Sequence, residues 1–167
     1  MQRAKRLRVY VLCVGVTAAI GAGAGVRFVA QHRQSASVSA SEADAEFARI
    51  RARFSHQVPL IDMTSRQPND AGTPTTAPHP LRTFHTVIFD TRGGERLVRI
   101  AVPYWLARRY ARHDGEFHWL GELTFLDDTE FDPEMIVVSL DQLERRGPGL
   151  VVDYRHQSGG QFISWVD

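Results

Sequence analysis

The feature that most constrains this chain is an uncharged stretch of 18 residues, Val9 to Val26, close behind a basic cluster of Arg3, Lys5, Arg6 and Arg8. Extended to Ala30 it takes in Arg27, whose long stem can carry its charge to a membrane surface. At 1.5 Å per residue, 18 to 22 residues span about 27 to 33 Å, enough for a hydrocarbon core of about 30 Å. Residues 9–30 are therefore expected to form a single N-terminal transmembrane helix.

A cleaved signal peptide is the competing reading. Its apolar region is normally about 7–15 residues long and ends at small residues, and Ala22-Gly23-Ala24 could serve, whereas Val38-Ser39-Ala40 lies too far downstream. The apolar run continues past the candidate site, which favours retention. Either outcome exports the remainder. The basic cluster keeps residues 1–8 cytoplasmic under the positive-inside rule, so the expected location is the cell inner membrane, with the C-terminal part periplasmic. Gly21 and Gly25, with Ala18/Ala22 and Ala19/Gly23, make a small-xxx-small pattern that lets two helices approach closely, an expectation of homodimerisation.

Charge narrows the partners. Residues 1–33 carry six basic residues and no acid, whereas residues 34–167 hold 14 basic against 19 acidic residues, a net of −5. A part this acidic is repelled by phosphate backbones, whose binding depends on neutralising charge, so nucleic acid is not an expected partner. The one cysteine, Cys13, lies in the apolar segment. The exported part therefore has no internal disulfide and no thiolate metal site.

Past the apolar segment, residues 31–41 (QHRQSASVSAS) read as a polar spacer without periodicity. Ser41 and Asp44 resemble a helix cap, and Ala43, Phe47, Ile50 and Phe54 follow at heptad-like spacing, predicting an amphipathic helix over 42–54. Its apolar stripe needs a surface, because an isolated helix of this length is marginal in water. Pro59 to Met63 suggests a short strand. Pro68, Pro74, Pro78 and Pro80 then mark a linker before a globular domain at 81–167.

From Leu81 the pattern is that of a sheet. Val98, Ile100 and Val102 alternate with Leu97, Arg99 and Ala101, and Asp90-Thr91-Arg92-Gly93-Gly94-Glu95 supplies the turn of a hairpin. Pro103 stands where a helix tolerates proline, predicting a short helix through Arg112. Phe117 to Leu126 reads as a strand interrupted by Gly121. Ser139 and Gln142 make a capping-box pattern for a helix at Leu140 to Arg146, closed by Gly147 and Pro148. Leu150 to Arg155 and Gln161 to Val166 flank a glycine-containing loop as a second hairpin, with Leu150, Val152 and Tyr154 on one face. The expected fold class is α+β, a small, mostly antiparallel sheet domain built from hairpins with short helices.

PYWLARRY at 103–110, SLDQLERRGPGLVVDY at 139–154 and the closing Trp165-Val166-Asp167 resemble segments of small uncharacterised bacterial membrane-anchored proteins, over roughly residues 82–167. The resemblance implies a bacterial envelope setting and a shared domain. It brings no activity and no site residues.

Chemistry finds little purchase. His113 and His118 flank Asp114 and Glu116, but HDGEFH lacks the i, i+4 pair of a zinc helix. A small periplasmic hydrolase or metal-dependent enzyme using these histidines and neighbouring acids is the alternative reading. Asp127, Asp128, Glu130, Asp132 and Glu134 lack the central glycine and terminal glutamate of a calcium loop. Ser158 with His156 is explained by a hairpin turn, and no catalytic residue, metal ligand or cofactor is assigned.

The most suggestive group is Tyr104, Trp105, Arg108, Arg109, Tyr110 and Arg112, since Trp, Tyr and Arg are enriched in binding hot spots and at membrane interfaces. Two readings stand: Trp105 and Leu106 plug the sheet, or Trp105, Arg108, Arg109 and Arg112 face a partner. The function expected on balance is a membrane-tethered accessory or protein-interaction module of the bacterial cell envelope, without catalytic activity, docking an envelope protein.

Overall fold

The structure, a computed structural model, describes residues 32–63, 67–68, 80–92, 94–110, 116–118 and 137–167. The expected transmembrane helix at 9–30, Gly21 and Gly25, most of the Pro-rich linker, His113, Arg112 and the acidic stretch 127–134 lie outside the described residues. Among the described residues no helix is long and apolar enough to cross a membrane.

The elements in chain order are β1 (Arg33–Ser37), α1 (Ala40–Arg53), β2 (Ile61–Asp62), β3 (Gln67–Pro68), β4 (Thr83–Asp90), β5 (Arg96–Pro103), α2 (Tyr104–Tyr110), β6 (Glu116–His118), β7 (Val137–Ser139), α3 (Leu140–Arg146), β8 (Gly149–Arg155) and β9 (Gln161–Val166). A five-stranded sheet runs β1-β5-β4-β9-β8, with β2 pairing β3 and β6 pairing β7 apart from it. The pairs β4–β5, β4–β9 and β8–β9 are antiparallel. The small antiparallel sheet with few helices thus stands.

Both faces of the sheet's central strands β4, β5 and β9 are largely buried. Registers Phe84↔Val102, Ile88↔Val98 and Ile88↔Phe162 place one set of apolar side chains on a common face, while Phe89↔Leu97 and Val87↔Ile163 fill the other. On the second face Ala43, Phe47 and Ile50 of α1 join Val87, Phe89, Leu97, Leu150, Ile163 and Trp165 in one core. On the first, Leu140 and Leu143 of α3 and Tyr104 of α2 pack with Phe84, Ile88, Val98 and Phe162. The stripe of α1 is therefore satisfied by the sheet. One compact unit runs from Gln34 to Asp167, so β1 from Gln34 onward and α1 belong to the domain rather than to a spacer ahead of it.

Several local expectations change. The polar stretch 31–41 contains strand β1, whose partner β5 supplies backbone pairing that side-chain pattern does not announce. Val38 N–H also donates to the Glu95 carbonyl at 3.1 Å. Helix α1 begins two residues earlier than Ser41 implied. Its cap is Ser39, whose hydroxyl accepts from Glu42 N–H at 3.3 Å while the Glu42 carboxylate accepts from Ser39 N–H at 2.8 Å. These bonds to Ser39 hold the exposed Glu42 carboxyl below its ordinary pKa. Pro103 closes β5 opposite Thr83 instead of opening the helix. In β8 a bulge between Leu150 and Val152 turns Leu150 toward α1, so it does not share a face with Val152 and Tyr154. The expected strand from Phe117 is β6, ending at His118 within the described residues.

The Ser139 capping box is not formed. Ser139 ends β7 opposite Glu116, and its side chain makes no cap hydrogen bond. Replacing Ser39 with Ala is therefore expected to cost about 1 kcal/mol, while Ser139→Ala costs less than about 0.5 kcal/mol. Paired urea titrations measure the difference, and equal costs would contradict the assignment of the caps.

Polar groups fix α1 on the sheet. The Arg51 guanidinium donates to Asp153 from Nε at 2.9 Å and from Nη2 at 2.8 Å, and to Gln161 Oε1 at 3.0 Å. Gln161, 1 % exposed, donates in turn to Asp44 at 2.6 Å. The bulge makes this network reachable, because it leaves Asp153 and Arg155 on the α1 side, where Arg155 meets Asp44 at 2.5 Å.

Candidate functional site

Strand β5 hands the chain directly to α2, and the short helix must choose which aromatic residue it buries. Tyr104 N–H donates to the Arg82 carbonyl at 2.8 Å, which pins the first turn to the start of β4. Tyr104 is then 6 % exposed and Leu106 packs against the same core, while Trp105 points away and is 61 % exposed. The reading in which Trp105 plugs the sheet is corrected: Tyr104 takes that position. Among the described residues the other large exposed apolar side chain is Val58, at 46 %. An exposed tryptophan on a packed helix is the informative departure, since scattered small apolar exposure is ordinary.

Arg108 lies one turn beyond Trp105, on the same face by three-residue spacing. Its Nε stands 3.7 Å from Glu144 Oε1 of α3, with 69 % and 40 % of the two side chains exposed. A pair this long and wet holds little free energy, so the guanidinium is available to a partner. Glu144 also accepts from the Tyr104 hydroxyl at 3.2 Å. Beside it, Asp141, Glu144 and Arg145 line an open hollow of about 420 Å³. Glu144 thus couples α2 to α3 through Tyr104 and Arg108, and the Arg108 and Arg145 guanidiniums stand with the Asp141 and Glu144 carboxylates on a surface whose α2 side also carries the exposed Trp105.

Burial and the neighbouring Glu144 charge push the Tyr104 hydroxyl well above its ordinary pKa. It therefore remains a neutral donor to Glu144 throughout the physiological range. A phenol whose folded pKa is raised adds stability that is fully present below the unfolded value of about 10 and is lost as pH rises from there through the higher folded value. Absorbance at 295 nm is expected to show a late tyrosine ionisation that vanishes in Tyr104→Phe. Unaltered titration in that variant would refute the assignment.

Arg109 belongs to α2, but its side chain and all of Arg112 lie outside the described side chains. His118 stands in β6 opposite Val137, and His113 is outside the described residues. Among the described residues no group of three His, Cys, Asp or Glu is arranged to hold a metal ion. Ser158 Oγ and His156 Nδ1 lie 2.6 Å apart, and Ser158 N–H also donates to that nitrogen at 3.2 Å. The pair caps the β8–β9 turn. The role of Glu144 as a shared partner of Tyr104 and Arg108 was not legible beforehand, since 40 residues separate it from Tyr104.

A comparison with protein-family models, with curated proteins and with solved structures finds no match to this chain.

Proposed function

We propose that this chain is a membrane-tethered docking module of the bacterial cell envelope. Residues 9–30 anchor it, and the folded part outside presents the Trp105–Arg108 surface to a protein partner. We assign it no reaction. The observation that carries the reading is the 61 % exposure of Trp105 on a helix whose neighbours Tyr104 and Leu106 are packed into the core.

Tryptophan and arginine supply large contact area and directional donors at the centres of protein interfaces. A surface already held in place by Tyr104 and Glu144 needs little ordering on binding, which favours affinity. The adjoining Asp141 and Glu144 offset Arg108 and Arg145, which leaves no net positive charge to draw an anionic lipid headgroup and favours a protein partner.

The test uses the full chain in membranes with Trp105→Glu and Arg108→Glu. Each is expected to leave the thermal unfolding midpoint within about 2 °C, as exposed substitutions change stability little, and to lose the partner on affinity purification. Retained co-purification by both variants would overturn the docking role, and a loss matched by reduced binding to anionic liposomes would assign the surface to lipid instead.

A further inference from the structure

The two edges of the main sheet are finished differently. At β8, Leu60 N–H donates to the Leu150 carbonyl at 3.2 Å and Leu150 N–H donates to Gln57 Oε1 at 3.0 Å. Gln57 stands so close that a Cβ on Gly149 would come within 2.7 Å of its Oε1. The start of that edge is covered by the chain's own segment between Gln57 and Leu60. At β1, the other end of the strand order, Gln34, Ser35, Ala36 and Ser37 are all exposed.

An edge strand displays a row of backbone donors and acceptors, and proteins usually guard it with Pro, Lys, a bulge or a covering loop. The sequence RQSAS has neither Pro nor Lys, and its last four residues are uncharged. Its side chains are mostly small, so a second backbone can come to strand-pairing distance.

We propose that β1 is a homodimer interface, in which two copies pair antiparallel about a twofold axis at Ser35 and make one sheet continuous across both. A twofold contact matches a patch with itself. Antiparallel register centred on Ser35 sets Arg33 opposite Ser37 of the other copy and Gln34 opposite Ala36. The two Arg33 side chains are then displaced by four residues, about 13 Å at roughly 3.3 Å per residue, beyond the Debye length of about 8 Å. Parallel pairing in register would set the two arginines face to face, which is destabilising. The charge pattern selects the antiparallel dimer.

Five residues pair too weakly to hold free molecules together, since an isolated two-stranded ribbon is marginal in water. Confinement to a membrane raises the effective concentration of the second copy. To that extent the dimer rests on the tethered reading above, whereas its register does not.

The test places single cysteines at Gln34, Ser35 and Ala36 of the full chain in membranes, in a Cys13→Ala background, with Ala45 on the exposed side of α1 as control. Directly opposed residues in an antiparallel pair lie about 4.5–5.5 Å apart, within disulfide range. Under a mild copper oxidant, Ser35→Cys is expected to move from 18.8 kDa to twice that mass. Gln34→Cys and Ala36→Cys should crosslink poorly alone and efficiently when co-expressed. Equal self-crosslinking at all three positions, an adduct with a different protein, or no dimer beyond the Ala45→Cys control would overturn the proposal. Adding Trp105→Glu to Ser35→Cys should leave the dimer intact, so failure of the docking surface and failure of the dimer are read separately.

Discussion

Replacing Phe47 with Ala is expected to destabilise the domain by about 3–5 kcal/mol, a large part of the 5–15 kcal/mol that holds a typical domain together. Phe47 is fully buried at the centre of the stripe that α1 lays on Val87, Phe89, Leu97 and Ile163. Its ring also lies 5.5 Å beneath the Arg51 guanidinium, so truncation removes both packing and a support for the Arg51–Asp153 contact. The unfolding midpoint should fall by roughly 10–20 °C. Hydrogen exchange should show the amides of α1 released before those of β4 and β9, because the helix meets the sheet mainly through this stripe. A loss below about 1 kcal/mol, with α1 still protected, would contradict the packing described.

Phe162→Ala is expected to cost a similar 3–5 kcal/mol by a different route. Phe162 is fully buried on the opposite face, in the strand between β4 and β8, with Ile88 and Tyr154 as its cross-strand neighbours. A cavity there weakens the sheet itself, so protection should fall in α1, β4 and β9 together. A Phe162→Ala protein that frayed only at α1 would contradict the two-sided core.

The contrast between these positions also marks what could be read in advance. The stripe Ala43, Phe47, Ile50 and Phe54 and the alternation of β5 are visible in the chain because burial on one side imposes a period. Strand β1 was not visible, because an exposed edge strand of Arg, Gln, Ser and Ala shows no such period and is defined by backbone pairing alone. The face swap in β8 depends on one extra residue at the bulge, which shifts every following side chain across the sheet without altering composition. The site followed the same logic. Trp105 and Arg108 stood out by type, but whether Tyr104 or Trp105 entered the core depended on the tie from Tyr104 N–H to Arg82, a contact between positions 22 residues apart. The expected helix at 9–30 rests on length and apolarity alone.

The docking role of the Trp105 surface is tested most directly by a photo-activatable phenylalanine analogue in place of Trp105, in the full chain in intact cells. One protein adduct is expected on illumination, lost with Arg108→Glu and absent when the analogue replaces the exposed Arg49 on α1. No adduct at position 105, or the same adducts at positions 105 and 49, would contradict it.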